Sequence, residues 1–224
     1  YLIARDMLGP DQMRAVVRAV LMTEPAIITD ALDAGERNQQ AQIEATRAKA
    51  LEELADALYR DPGSPSIGNP EASVTVVEFF DYRCPYCKHV APELATLLAT
   101  DADVRVVYKE FPILGPESVF ASKAALAAHR QGKYRELHEA LLGLEGGLDD
   151  ATVLRVAGEV GLDLPKLQQD MESPAIIEQL QAVRSLATAL GVNGTPAFVI
   201  GKDFIGGAIS VDEMRELVAR NREG

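Results

Sequence analysis

Only two cysteines occur in the 224 residues, and they stand together in Cys84-Pro85-Tyr86-Cys87. The run before them, Val74 to Phe80, is β-branched and aromatic and reads as a strand buried on both faces. The run after them, from about Pro85 to Ala99, puts Val90, Leu94, Leu97 and Leu98 on one helical stripe, and Pro92 inside it predicts a kink. A C-x-x-C pair at a strand-to-helix junction is the pattern of a thiol–disulfide redox site. Free N–H groups and the positive dipole end at the helix N-terminus favour a thiolate at Cys84, which is therefore the expected nucleophile. Cys87, about one turn on and shielded by the helix body, is the expected resolving thiol. Pro85 at the first helical position costs no hydrogen bond and stiffens the turn, while Tyr86 supplies no cation. Arg83 and Lys88 are nearby cations that either support the thiolate or are solvated.

The rest of the chain is arranged around this unit. Gly9-Pro10-Asp11 is a helix start, and Met13, Val16, Val17, Val20 and Leu21 form a narrow apolar stripe that Thr23-Glu24-Pro25 interrupts. A second short helix with Ile27, Ile28, Ala31 and Leu32 is expected to end at Gly35. From Glu36 to about Lys49 the sequence is helix-compatible but polar on nearly every side, a helical spacer or a conditional helix. Leu51, Leu54 and Leu58 restore an apolar stripe before Asp61-Pro62-Gly63-Ser64-Pro65 breaks the helix. Val104 to Phe111 reads as a second strand, so strand, helix and strand make the crossover unit of a parallel sheet. Helical segments near 117–131, 133–142, 149–159, 163–171 and 174–190 follow, punctuated by glycines and Pro174. After the Asn193-Gly194-Thr195-Pro196 turn, Ala197–Ile200 and Phe204–Ile205 form a hairpin, and Ser210 caps a last helix carrying Val211, Met214, Leu217 and Val218.

Composition removes several functions. A formal net charge of −12 argues against a protein that tracks a nucleic-acid backbone. No apolar run approaches the roughly 18 residues of a membrane span. The chain begins at Tyr1 rather than Met, which leads us to expect a signal peptide or another N-terminal segment ahead of it. Structural zinc needs about four ligands, and beyond the cysteine pair only His89, His129 and His138 are available, at the wrong spacing. His129 and His138 fall on helical stripes and read as structural. No cofactor is expected. A reduced Cys84–Cys87 pair does suit Cu(I), so a copper-binding module is the alternative of another class.

Strand, C-x-x-C helix, strand, helical insertion, Thr-Pro turn, hairpin and closing helix together resemble the thioredoxin fold in its DsbA-like form. The resemblance covers about residues 66–224 and is carried by Val77-Glu78-Phe79-Phe80-Asp81-Tyr82-Arg83-Cys84-Pro85-Tyr86-Cys87 and by Gly191-Val192-Asn193-Gly194-Thr195-Pro196-Ala197-Phe198. Glu110-Phe111-Pro112-Ile113-Leu114-Gly115-Pro116-Glu117-Ser118 is similar to a branch that includes the ScsC (suppressor of copper sensitivity) and Com1-type proteins. A glutaredoxin shares the dipeptide but lacks the helical insertion. The resemblance implies an α/β fold in two parts: a helical N-terminal oligomerisation stalk and linker over 1–62, and a DsbA-like domain over 63–224 with its insertion at about 115–190. It implies that Pro196 is a cis-proline facing the active site, and that the backbone of Thr195 pairs with an extended substrate. It makes Glu78 a buried acid that shuttles protons for the resolving thiol, with Lys109 on the neighbouring strand as its partner; the alternative for both is a strand-end charge in solvent. Threonine before the proline resembles the isomerase-type members, and Tyr86 replaces a histidine of the strongest oxidant.

The activity so implied is that of a periplasmic protein disulfide isomerase acting on unfolded or mis-oxidised proteins. It would be kept reduced by a membrane thiol reductase of the ScsB or DsbD kind and would self-associate through residues about 10–34, as a homotrimer. If the N-terminal stripe instead folds back, a monomeric DsbA-like dithiol oxidase is the expectation.

Overall fold

The protein is described by a computed structural model over residues 9–222. Residues 1–8 and 223–224, at the outer ends of the two expected domains, lie outside the described residues, as does the expected signal peptide. The described residues hold ten helices and one five-stranded sheet, and they divide into two compact units, the first ending at Arg47 and the second beginning at Ala48.

In the first unit, α1 spans Pro10–Thr23. Its start is closed by the Gln12 side chain, whose Oε1 accepts from the Gly9 N–H at 3.1 Å. Its stripe is open to solvent, Met13, Val16 and Val17 being 51%, 49% and 51% exposed. Helix α2, Ala26–Glu53, is a single 28-residue helix. The expected stop at Gly35 does not occur. A Cβ there would meet nothing within 4 Å, so the cost is only the backbone entropy of one glycine, about 1 kcal/mol, set against strong helix formers on both sides.

The second unit is built on the order β1-β3-β2-β4-β5, with β1 Ser66–Gly68, β2 Val74–Phe80, β3 Val104–Glu110, β4 Ala197–Ile200 and β5 Asp203–Gly206. Strands β2 and β3 are parallel, joined by α4 (Pro85–Thr100), and every other pairing is antiparallel. Strand β1 has no counterpart in the sequence reading. Three residues, Ser-Ile-Gly, carry too little alternation to register, and the strand exists because it pairs along β3. Between β3 and β4 come α5 (Pro116–Arg130), α6 (Tyr134–Leu142), α7 (Asp150–Glu159), α8 (Leu164–Met171) and α9 (Pro174–Ala189), and α10 (Val211–Arg222) closes the chain. The boundaries follow local chemistry. Asp149 and Asp163 accept from the N–H groups of Thr152 and Lys166 at 2.7 and 3.0 Å. Ser210 and Glu213 cap α10 reciprocally.

Successive strand residues face opposite sides of the sheet, and the two sides bury separate cores. Val76 and Phe80 of β2 with Val106 and Tyr108 of β3 pack under α4 to α8 and α10. Val77, Phe79 and Val107 pack with Leu51, Leu58 of α3 (Ala55–Tyr59), and Val183 and Leu186 of α9. In α5 the buried stripe is almost all alanine, Ala121, Ala124, Ala125 and Ala128, so that neighbouring helices can approach closely.

Candidate active site

The site forms where β2 ends and α4 begins. Cys84 is the residue before the first helical turn, in an extended conformation, with Pro85 as the first helical residue. Its N–H donates to the Asp81 carbonyl at 3.0 Å, and its own carbonyl accepts from the Lys88 N–H at 3.1 Å. Asp81 is wholly buried and organises the segment. Its carboxylate accepts from the N–H of Arg83 (2.7 Å), Ile113 (2.8 Å) and Leu114 (2.9 Å) and from Ser118 Oγ (2.7 Å). The loop after β3 is thereby fastened to the dithiol turn. Arg83 adds a bond to the Leu114 carbonyl at 2.6 Å and an ion pair with Glu117 at 3.0 Å. Gly115 is required at that point. Its φ of +125° is one side chains rarely adopt, and a Cβ would stand 2.8 Å from the Arg83 guanidinium. Lys88 is tied to the Leu144 carbonyl at 2.8 Å. Both cations flanking the motif thus bind the helical insertion and the loop leading into it.

Across the cleft, Cys84 Sγ lies 3.1 Å from the Thr195 carbonyl, in thiol donor geometry. The Thr195–Pro196 peptide bond is cis, and the Pro196 carbonyl is held by the Gly207 N–H at 2.9 Å. Both cysteines are free thiols. Cys84 retains slight exposure, 4%, and Cys87 has none, while Tyr86 between them points outward, 66% exposed. Burial pushes the Cys87 thiol far up, and the negative charge of Glu78 adds to it.

Glu78 lies on the same sheet face as the helix that carries the dithiol, and it is buried. Burial raises its pKa first, and the charge of Glu110 second. The expected pairing of Glu78 with Lys109 does not form. Lys109 is register-paired with Phe79, so it projects into the opposite core. There its Nζ donates to the Ala57 carbonyl at 2.6 Å and to Ser64 Oγ at 2.7 Å, with the Asp61 carboxylate at 3.5 Å. Burial lowers its pKa to about 8. Among the described residues no group of three His, Cys, Asp or Glu side chains could hold a metal ion.

Sequence reasoning missed two parts of the site, Asp81 and Glu110. Asp81 carried a signal, an Asp two residues before an N–H it could bind in an Asx-turn. Glu110 carried none, because its place beside Glu78 depends on the register of two strands. His138 is structural, as read. Its Nδ1 lies 3.1 Å from the Tyr82 hydroxyl, its ring stacks on Tyr134 with centroids 5.1 Å apart, and burial drops its pKa to about 3.

Residues 75–219 match the DSBA-like thioredoxin domain. Among solved structures, a thioredoxin-like oxidoreductase from Silicibacter pomeroyi superposes with a TM-score of 0.74 at 47% identity, over 75% of this chain and 98% of that one. ScsC from Proteus mirabilis, in a transitional conformation, does so with a TM-score of 0.72 at 30% identity, over 96% and 99%. The sodium/proton antiporter NhaA 3 of Salinispora tropica is 34% identical over 164 residues, 70% of this chain and 25% of that protein. The chain spans about a quarter of the length of the curated relatives that it matches first.

Proposed function

The chain belongs to the DsbA-like thioredoxin-domain family, and from that premise we propose that it is a periplasmic thiol–disulfide oxidoreductase working as an oligomeric protein disulfide isomerase. The observation that carries this reading is the asymmetry of the dithiol. Cys84 stands at the N-terminus of α4 with its sulfur 3.1 Å from the Thr195 carbonyl, and Cys87 is sealed one turn behind it. In the proposed chemistry Cys84, as thiolate, attacks one sulfur of a non-native disulfide, forming a mixed disulfide and releasing a substrate thiolate. That thiolate, or another of the same substrate, attacks the mixed disulfide and leaves Cys84 reduced. When the substrate stalls, Cys87 gives its proton to Glu78, attacks Cys84 and releases the substrate reduced. A membrane thiol reductase then returns two electrons to the Cys84–Cys87 disulfide. Thr195 and Pro196 would line the substrate strand, and Pro85 and Tyr86 would set the turn between the sulfurs.

Residues 1–62 serve in this proposal as stalk and linker and residues 63–224 as the catalytic domain. Self-association through residues about 10–34, as a trimer, would turn several dithiols toward one captured chain. The support is the solvent-open stripe of α1 and the likeness to ScsC along nearly the whole chain. Two measurements test it together: solution mass by light scattering, and recovery of activity by a ribonuclease with scrambled disulfides. A trimer that restores the ribonuclease is the expected result. A monomer that restores nothing overturns the isomerase and leaves the dithiol oxidase.

A further inference from the structure

Beneath the dithiol lie two acids on one side of the sheet. Glu78 of β2 is in register with Tyr108 of β3, and Glu110 stands two residues further along β3, opposite Phe80. Their backbones are therefore roughly 8 Å apart, with both side chains on the same face. Each is 1% exposed. One oxygen of Glu110 accepts from the hydroxyls of Tyr82 at 3.1 Å and Tyr134 at 2.9 Å. Among the described residues the other oxygen, Oε2, has no hydrogen-bond partner, and neither has Oε2 of Glu78.

Among the described residues the groups facing this pair supply no positive charge. The segment after β2 brings Asp81 and Tyr82, β3 brings Tyr108, α4 brings Cys87, α5 brings Ser122, and α6 brings Tyr134 and His138. His138 is held neutral by burial, Arg135 of α6 is bound to Glu139 on the exposed side, and Lys109 faces the other core. Two ionised carboxylates side by side in such a place would be unstable, so they cannot both give up their protons independently.

We infer that Glu78 and Glu110 hold one proton between them, and that Glu110 is the positioning residue that leaves Glu78 able both to take the Cys87 proton and to give it back. The inference rests on the dithiol reading. With the shared proton on Glu110, the Glu78 carboxylate removes the proton of Cys87. The Cys87 thiolate attacks Cys84, the Cys84–Cys87 bond forms, and the bond from Cys84 to the substrate breaks with its electron pair leaving on the substrate thiolate. The acid pair then carries two protons and returns one to that thiolate or to solvent.

Reduced protein mixed with dithiobis(nitrobenzoate) isolates the step. One thionitrobenzoate is released when Cys84 reacts and a second when Cys87 closes the ring, so the second phase reads the resolving thiol alone. Its rate is expected to rise with pH along an acid limb in the wild type. In Glu110→Gln the limb moves to lower pH by about one unit, which is about tenfold in rate at a pH on the wild-type limb, and in Glu78→Gln the limb disappears. A purely structural Glu110 would lower the melting temperature and leave the limb in place. The coupling is also read from the other side, by titrating the isotope-labelled carboxyl carbon of Glu110, which should ionise at lower pH in Glu78→Gln than in wild type. This arm serves if Glu110→Gln fails to fold. A limb unmoved by Glu110→Gln, or a Glu110 titration indifferent to Glu78→Gln, overturns the inference. Absence of the second release from the wild type would instead overturn the dithiol reading itself.

Discussion

At the scale of single residues, the site joins a slightly exposed thiol, Cys84, to a sealed one, Cys87, and to two buried acids, Glu78 and Glu110. Cys84, Cys87, Thr195 and Pro196 are set by local motifs, and the structure brings them together across one cleft. Glu78 was reached through the family resemblance carried by the motif that ends in Cys84. Glu110 was not, since nothing in a strand's own sequence says which residue of a neighbour it meets. Burial of Glu78 has a consequence for stability. The pair it forms with Glu110 keeps its shared proton up to about pH 8 when folded, against an ordinary value of 4.5 for either carboxyl. The unfolded chain therefore binds fewer protons between those values, so this contribution is fully present below about pH 4.5 and is lost as pH rises toward 8. Glu78→Gln has no such proton to lose. Its stability relative to the reduced wild type should improve by up to a few kcal/mol between pH 5 and pH 8, as read by denaturant unfolding at the two values. Parallel pH profiles for the two proteins would contradict the buried, protonated acid.

Among the elements, helices were the more legible because glycine, proline and capping aspartates mark their ends, as at Asp149, Asp163 and Ser210. Helix α2 departed from the reading because one exposed glycine is too weak a signal to stop a helix. Strand β1 was too short to see. Lys109 shows how an element can redirect a residue: one step of strand alternation carries it away from Glu78 to the segment joining α3 to β1. There it satisfies the Ala57 carbonyl and Ser64 and stands by Asp61. Lys109→Met preserves much of the stem but removes the charge and its bonds. Loss of the buried ammonium takes a donor from the Ala57 carbonyl and from the Ser64 hydroxyl, at a cost of about 1–3 kcal/mol. Denaturant unfolding should show a loss of that size, and limited proteolysis should cut within residues 57–65. The second release of thionitrobenzoate should keep its wild-type pH limb. A shifted limb with an intact 57–65 segment would return Lys109 to the chemistry.

For the whole molecule, the alternation of the strands divides the labour: one side of the sheet carries the dithiol, its acids and most of the helical insertion, while the other holds Leu51, Leu58 and α9. Opposite facing of this kind was beyond the reach of periodicity, which located the strands but not their pairing. The apolar stripe of α1 was legible from its spacing, and its solvent exposure fits the proposed association. Val17→Glu combined with Val20→Glu should reduce the mass in light scattering to that of a monomer and abolish ribonuclease recovery, while the thionitrobenzoate reaction proceeds at the wild-type rate. An unchanged mass would remove α1 from the interface. The claim on which everything else depends is that Cys84 forms the bond to substrate and Cys87 breaks it. Incubation of Cys87→Ser and Cys84→Ser with scrambled ribonuclease, followed by mass spectrometry without reductant, tests it directly. A covalent adduct of ribonuclease with Cys87→Ser through Cys84, and none with Cys84→Ser, is expected. An adduct of equal yield on Cys84→Ser, or none on either, would contradict it.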